Sequence, residues 1–400
     1  MSSRARRLTA ALGALVAACV IVTSAFTGSA AAGPVYGVPN GITTITLTKT
    51  AADMKRIAEY WSPARLKQAS DNTPAGPDEM RSGATRSATP TPRGTAAGGT
   101  AAGGVATTAA GGKTPATGLR STLGKKTTST GASVPVVKPA LPKKRPAASN
   151  GSPLTVGKVF FRIGGKDYWC SASSVASANR NLVATAGHCT YDAKTGSQAE
   201  YWIFIPGYDR GETPYGIYVG HSLNLHEDFV GRGDFDYDYA FVTVHDGFRW
   251  KAGKTTGTYE MEGVGSLQDN VGGQGLTTNR GVGLFTIAYG YPAAPHPDGS
   301  KPYNGEVLKS CDGRTIKVQS PTRLVEHGTA LTCGFTNGAS GGPWLIGFDR
   351  KHAVGYLNGV NSFAWDVDVD GKYDRISSPY FIASTYVVYT WATAQRAPRP

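Results

Sequence analysis

Ser340 lies in a stretch of small residues, CGFTNGASGGPW, at positions 333–344. Gly338 precedes it, and Gly341 and Gly342 follow. One interpretation is an ordinary surface turn. The other is a serine nucleophile, because glycines allow the backbone around it to adopt conformations that a Cβ would disfavour. The rest of the chain decides between these two.

His188 is a candidate general base. It ends the small-residue stretch VATAGHC and is followed directly by Cys189. A disulfide from Cys189 to Cys170, in the preceding strand, would hold this histidine rigidly. A general base needs such a fixed position, because proton transfer depends on a short and well-directed contact.

A carboxylate that orients this base is expected ahead of an apolar strand. DYDYAFVTV offers Asp238, directly before Tyr239 and the strand that follows. A carboxylate at the start of a strand can accept a hydrogen bond from an imidazole at the barrel edge. Asp236 is the second candidate, and Asp228 and Asp234 are weaker ones.

The three motifs GHC, DYAFVTV and GASGGP resemble those of the trypsin-like (chymotrypsin-fold) serine peptidases, in the order His, Asp, Ser. The turn Gly-Tyr-Pro at 290–292 is similar to one in secreted bacterial trypsin-like and glutamyl-endopeptidase-type enzymes. The resemblance covers residues 155–395. It implies that His188 is the base, Asp238 the orienting acid and Ser340 the nucleophile.

The same resemblance implies an oxyanion hole formed by the backbone N–H groups of Gly338 and Ser340. Ala339 departs from the digestive members of the family, where an aspartate at this position pairs with a newly cut N-terminus. Alanine cannot form that ion pair. We therefore expect activity without one particular free N-terminus, which leaves the leader region as a folding aid, a tether or an inhibitor.

From Leu154 onward, short apolar runs alternate with Gly, Asn and Asp turns, as in VGKVFFRI, YWIFIPGY and PWLIGF. Strands of this length and spacing predict an all-β barrel or sandwich. The resemblance narrows this to two six-stranded Greek-key β-barrels in a peptidase domain at 154–396. The one strong helix pattern in this part of the chain is at its end, residues 384–395.

The leader region divides into three predicted segments. Residues 1–32 have basic side chains, an apolar run and small residues, which predicts a signal peptide; a membrane anchor and lipidation at Cys19 are the alternatives. Residues 33–72 are interpreted as a pro-region with an amphipathic helix at 54–68, interrupted at Pro63. Residues 73–153 are rich in Ala, Gly, Thr and Pro, which predicts a largely disordered linker.

Removal of the signal peptide leaves four cysteines, and an even number in an exported chain suggests two disulfides. Of the three pairings, spacing favours Cys170–Cys189 and Cys311–Cys333, each stabilising by about 3 kcal/mol in the loop-entropy model. Free thiols and a metal site are the alternatives, although CxxC spacing is absent.

The net charge of +13 lies outside the predicted peptidase domain. Residues 1–154 contain 19 Lys and Arg against 5 Asp and Glu, whereas residues 155–400 contain 22 against 23. The catalytic part is nearly neutral, which argues against a nucleic-acid-binding face. DVDVDG, at 366–371, begins like a calcium loop but has Ser377 where a glutamate is expected, and an Asp-Gly turn explains it as well.

Together these patterns predict a secreted, disulfide-bonded serine endopeptidase made as a zymogen. We expect protein or peptide substrates, no nucleic-acid partner, no cofactor or metal, no stable membrane insertion after signal removal, and a monomer. The leader region offers a means of association with the cell wall. The alternative is a catalytically inactive relative that serves as a binding or cell-surface protein.

Overall fold

The computed structural model describes residues 38–68, 73–74, 136–143 and 152–398. The predicted signal peptide lies outside the described residues, and so does most of the predicted linker. The predicted domain boundaries therefore stay predictions.

The first half of the peptidase region is a closed six-stranded barrel, the first barrel. Its strands are β3 Val156–Ile163, β4 Lys166–Val175, β5 Leu182–Thr185, β8 Glu200–Pro206, β9 Tyr218–His226 and β10 Ala240–Val244. They pair in the order β3-β4-β5-β10-β9-β8, and β8 pairs with β3 to close the sheet. Closure gives each of the six strands two neighbours, although β8 covers only the first part of the β9 edge.

Further strands attach to this barrel or extend from it. They are β1 Ile42–Thr46, β2 Thr73–Pro74, β6 Tyr191–Asp192, β7 Ser197–Gln198, β11 Gly247–Ala252 and β12 Tyr259–Gly265. β1 pairs with β9, β2 with β4, β6 with β7 and β11 with β12.

Both faces of the barrel wall are buried in places. Val159, Phe160 and Phe161 follow one another on β3 and are all fully buried. A strand exposed on one face would alternate apolar and polar residues, so the apolar run VFF indicates cover on the outside as well. Helices and loops provide that cover.

The second half folds into two sheets. Its strands are β13 Gly275–Leu276, β14 Phe285–Gly290, β15 Lys309–Arg314, β16 Ile316–Ser320, β17 Val325–Thr332, β18 Pro343–Asp349, β19 Val354–Val360, β20 Ala364–Trp365 and β21 Arg375–Ser378. The orders are β13-β19-β18-β14-β15 and β16-β17-β21-β20. Ala288 and Trp344 of the first sheet share a core with Leu331 and Ile376 of the second. The predicted all-β, two-barrel fold is confirmed.

The described helices are α1 Ala51–Tyr60, α2 Pro63–Gln68, α3 Glu227–Arg232, α4 Leu267–Val271 and α5 Ala383–Ala394. The predicted interruption at Pro63 separates α1 from α2, because proline fits the first turn of a helix and not its interior. α5 matches the predicted terminal helix and packs on β9 and β10 of the first barrel. The short helices α3 and α4 have too few residues for a periodic pattern.

Two disulfides join Cys170 to Cys189 and Cys311 to Cys333, the pairing that the spacing favours. None of the helices in the described residues has the length and apolar character to cross a membrane.

Candidate active site

His188 lies in a single 3₁₀ turn, Gly187–Cys189, directly after β5. The disulfide to Cys170 on β4 anchors this turn, and the His188 side chain is buried. A Cβ on Gly187 would lie 2.9 Å from the Phe229 ring, so only glycine fits before the histidine without displacing that ring. The turn is thus fixed by a covalent bond on one side and close packing on the other.

Asp238 orients the His188 imidazole. It follows the 3₁₀ turn Phe235–Tyr237 and lies just before β10. One carboxylate oxygen accepts the backbone N–H of His188 at 2.8 Å, and the other lies 2.9 Å from its Nδ1. Asp238 is fully buried. A buried carboxylate held at both oxygens fixes the ring angle and leaves Nε2 facing away from it.

The pKa of Asp238 is lowered despite burial. Burial alone raises the pKa of a carboxyl, but the His188 charge and hydrogen bonds from His188 and Ser362 outweigh it. Asp238 therefore stays ionised at neutral pH.

Ser362 completes this arrangement, and sequence reasoning missed it. Its Oγ donates to Asp238 Oδ2 at 2.5 Å. Ser362 lies 124 residues beyond Asp238 and just after β19, with no motif to connect the two. The contact arises only because the second half of the molecule folds against the first.

The other acidic candidates have different contacts. Asp236 accepts the backbone N–H groups of Glu326 and His327, each at 3.0 Å. Asp234 caps the 3₁₀ turn that follows it, and Asp228 forms an ion pair with Arg232 at 2.8 Å. Of the four acidic candidates, Asp238 is the one that contacts the His188 ring.

Ser340 lies in a turn held from both halves of the molecule. The backbone N–H of Ser171, on β4, donates to the Ser340 carbonyl at 2.8 Å, and its Oγ donates to the Gly338 carbonyl at 2.8 Å. From the second half, Asn361 accepts the Gly341 N–H at 2.7 Å and donates to the Ala339 carbonyl at 2.8 Å. The nucleophile candidate is therefore fixed at the junction of the two barrels.

The glycines around Ser340 are required by this geometry. Gly338 and Gly341 have φ of +100° and +80°, in the region that favours glycine. A Cβ on Gly341 would lie 2.1 Å from Thr185 Oγ1 and 2.8 Å from the backbone N of Ala186. Since Ala186 immediately precedes the 3₁₀ turn of His188, the Ser340 turn and the His188 turn pack directly on each other.

Several polar atoms here have no partner within the described residues. His188 Nε2 is buried without a hydrogen bond, so none joins it to Ser340 Oγ. The backbone N–H groups of Gly338 and Ser340 also donate none in this part of the chain. Buried donors and acceptors normally have hydrogen-bond partners. A group bound at this cluster would therefore supply partners to its unpaired atoms.

Solved structures of serine proteases are similar to this chain. A thermostable serine protease, AL20, from an extremophilic microorganism is 33% identical; the match covers 61% of this chain and 99% of that one, with a TM-score of 0.50. The protease Anisep from Arthrobacter nicotinovorans is also 33% identical, over 62% and 99% of the chains, with a TM-score of 0.50. The chain belongs to the chymotrypsin-fold serine proteases.

Neither a scan against protein-family models nor a search of curated proteins finds a match for this serine protease. A Glu endopeptidase structure matches at 16% identity, over 63% of this chain and 96% of that one, with a TM-score of 0.43. That likeness carries no argument about specificity here.

A cavity of about 250 Å³ opens beside His188 in this serine protease. Phe235 forms part of its wall and stacks on the imidazole, with ring centroids 6.4 Å apart. Lys194, Arg232 and Arg323 also line it. The cavity gives a substrate segment space next to the candidate base.

Within the described part of the serine protease, two groups of side chains have the proximity of metal ligands. One consists of His188 with Cys170 and Cys189, but the disulfide removes both thiolates. The other consists of Asp366, Asp368 and Asp374, from the segment where the sequence resembles a calcium loop. These three carboxylates accept backbone N–H groups of their own turn, which accounts for their positions.

Proposed function

We propose that this protein is a serine endopeptidase that forms an acyl-enzyme on Ser340. The observation that carries the proposal is the His188 imidazole: Asp238 binds its Nδ1 at 2.9 Å, while its buried Nε2 is unpartnered among the described residues. Nε2 is therefore the ring atom through which His188 would exchange a proton with Ser340. Membership in the serine protease family supports a peptide substrate.

In the proposed reaction, His188 Nε2 takes the proton of Ser340 as its Oγ attacks the peptide carbonyl carbon. The His188 imidazolium then gives this proton to the leaving amine, and the acyl group stays on Ser340. Water attacks the acyl-enzyme by the same proton path and releases the second product. Asp238 remains ionised throughout, in keeping with its lowered pKa, and stabilises the imidazolium.

We assign the oxyanion hole to the backbone N–H groups of Gly338 and Ser340. Their lack of partners within the described residues supports this role. Donors fixed in place before the reaction need no reorganisation when the carbonyl oxygen becomes negative. One such donor typically lowers the barrier by about 3–4 kcal/mol.

Activity should not depend on a particular free N-terminus. Ala339 is buried, and a Cβ on Gly290 would lie 2.9 Å from the Ala339 Cβ. This close packing fits a turn that is ordered without an ion pair at position 339. Variants that begin at several positions between 146 and 156 all lack residues 38–68, and their activities should be similar to one another. Activity confined to one start would contradict this.

An active-site-directed organophosphonate tests the proposal. It should label the wild-type protein and the control Ser310→Ala, whose serine is exposed on β15, and fail to label Ser340→Ala. His188→Ala should also escape labelling. A folded wild-type protein that is neither labelled nor able to cut a casein substrate would support the inactive, binding-protein alternative.

We further propose export of the enzyme as a precursor. Two disulfides suit an oxidising compartment outside the cytoplasm. Mass spectrometry of the N-terminus of protein from the culture medium should find a chain that starts shortly after Ala32 or later. Retention of the full-length chain inside the cells would contradict export.

A further inference from the structure

The segment Val38–Gln68, here called the N-terminal segment, adds a strand to the first barrel. β1 pairs antiparallel with β9 over five positions, from Ile42 opposite His226 to Thr46 opposite Ser222. β8 pairs with β9 only at Tyr218 and Val219. Without β1, the part of this β9 edge from Ser222 to His226 would be unpaired. An unpaired strand edge is prone to association with other chains.

The helices of the N-terminal segment bury an apolar face against the same barrel. Met54, Ile57, Trp61 and Leu66 belong to the main hydrophobic core, and none is more than 7% exposed. The Trp61 ring lies 5.6 Å from that of Phe160 on β3. Removal of such apolar side chains from water is the main favourable contribution to this kind of packing, so this face stabilises the docked position of the segment.

A polar rim surrounds this apolar centre. Asp167, on β4, accepts hydrogen bonds from Tyr60 at 2.6 Å and from Arg65 at 2.7 Å. Arg162, on β3, donates to the Tyr60 hydroxyl at 2.9 Å. An apolar centre with a hydrogen-bonded rim is the anatomy of an interface between separate chains.

The N-terminal segment also supports the wall of the candidate active site. The Gly41 carbonyl accepts the backbone N–H of Glu227 at 3.0 Å, at the start of α3. Phe229 of α3 packs against Gly187 and the Phe235 ring, and Phe235 stacks on His188. Contacts therefore run from the N-terminal segment to the candidate base.

We propose that residues 38–68 are a built-in subunit of the peptidase, which stays docked on the first barrel after the connecting chain between residues 75 and 135 is cut. The AL20 match covers 99% of that protein but 61% of this one, so more than a third of this chain has no counterpart there. The docked segment stabilises the β9 edge and, through α3, the position of His188. Only the activity arm of the test rests on the proposed function.

A site-specific protease sequence inserted after Gly111 allows the full-length chain to be cut there. The insertion is made in Ser340→Ala, which prevents self-digestion. After cleavage, both fragments should co-elute in size-exclusion chromatography at micromolar concentration and separate in urea. Dissociation in native buffer, with an unchanged unfolding midpoint for the larger fragment, would overturn the proposal.

Trp61→Ala provides the matched variant. Its control is Lys55→Ala, which removes an exposed side chain from α1, the helix that Trp61 follows. After cleavage, the Trp61→Ala fragments should dissociate at least tenfold more readily, and backbone amides of β9 should exchange faster. Lys55→Ala should behave like the parent. Equal dissociation of the two variants would also overturn the proposal.

In the active background, the cut enzyme should retain its kcat/KM, and Trp61→Ala should lower it. Loss of activity in the cut enzyme while the fragments remain associated would contradict the claim that the docked segment supports the site without a covalent connection to it. An enzyme inactive before cleavage would contradict the proposed function and leave the docking result in force.

Discussion

At the scale of single residues, Lys158 is the least expected side chain in the molecule. It lies on β3 with no exposed surface, and its Nζ has no hydrogen-bond partner within the described residues. The Nζ lies 3.7 Å from the centre of the Trp169 ring and 4.4 Å from that of Tyr208. Burial lowers the pKa of Lys158 to about 7, against a smaller raising effect of Glu306.

This lysine makes stability depend on pH above neutrality. The unfolded chain keeps the Lys158 proton up to pH of about 10.4, whereas the folded protein releases it near 7, so the unfolded state holds more protons in between. The free energy of unfolding should therefore rise from pH 7 toward pH 10. Lys158→Met should remove this rise. At pH 6–7 it should also increase the free energy of unfolding by about 1–3 kcal/mol, after subtraction of the lost cation–π contacts.

Urea unfolding at pH 6, 7.5 and 9 measures this effect. Lys166→Met, at an exposed position on β4, is the control and should keep the wild-type pH dependence. An unchanged pH dependence in Lys158→Met would mean that the lysine stays charged in the folded protein.

Ser362 allows a second test at this scale. Ser362→Ala removes one hydrogen bond from the buried Asp238 carboxylate, and such bonds to charged groups are worth about 1.5–3 kcal/mol. The pKa of Asp238 should rise, and kcat/KM should fall about 10- to 100-fold. In a pH profile, kcat/KM of Ser362→Ala should fall in acid at a higher pH than that of the wild type. An unchanged midpoint of this acid fall would refute a role for the bond.

Local motifs identified His188, Asp238 and Ser340 because each has small residues or a strand signature beside it in the chain. Ser362 and Lys158 escaped prediction because their contacts are made by residues distant in sequence. Nothing in VGKVFFRI distinguishes Lys158 from an exposed strand lysine, and only the folded barrel places it among aromatic rings. The catalytic roles themselves stay predictions until tested.

At the scale of elements, both disulfides should stabilise the fold, but only one of them should also position a residue of the candidate site. Cys170–Cys189 anchors the His188 turn, whereas Cys311–Cys333 joins β15 to the chain after β17. Replacement of either pair by alanine should lower the free energy of unfolding by about 3 kcal/mol, because the loops have similar lengths. Only loss of the first pair should also lower kcat, measured well below the unfolding transition.

Each pair of cysteines is the other's control in this experiment. An equal effect on kcat would show that the His188 turn is held by packing alone, with Phe229 against Gly187 as the remaining contact.

Element prediction succeeded where a pattern spans several residues and failed where it does not. Short apolar runs predicted strands in both barrels, such as β3, β8 and β18, and Pro63 marked the boundary between α1 and α2. The pairing of β1 with β9 could not be predicted, because ITTIT lies more than 170 residues before its partner strand. Residues 136–143 fell within a predicted linker, yet Val137 and Ala140 form bridges to Leu276 and Gly273.

At the scale of the whole described molecule, the N-terminal segment and the C-terminal residues meet on the first barrel. Trp391 of α5 donates to Thr44 Oγ1 of β1 at 2.7 Å. Thr48 Oγ1 lies 2.7 Å from His245 Nε2 and 3.2 Å from His221 Nδ1. The other His245 ring nitrogen lies 3.2 Å from the Pro398 carbonyl. His245 thus connects the N-terminal segment, the barrel and the C-terminal residues.

This junction should weaken in acid. Burial and the neighbouring His221 charge lower the pKa of His245 to about 4, and burial lowers that of His221. An unfolded histidine binds a proton near pH 6.5, so between pH 6.5 and 4 the unfolded state holds more protons at His245. The free energy of unfolding should fall across that window, by at most about 1.4 kcal/mol per pH unit for one site, and level off below it.

His245→Gln keeps an amide that can bond to Thr48 but cannot titrate, and it should flatten this fall. His352→Gln is the control, because His352 is exposed and pairs with Asp349 away from the junction. Urea midpoints at pH 7, 5.5 and 4.5 compare the three proteins. As the pH falls, the N-terminal segment should dissociate from the cut chain at a higher pH when His245 is present than in His245→Gln. Equal acid sensitivity of these two would place the acid-labile contacts elsewhere than at His245.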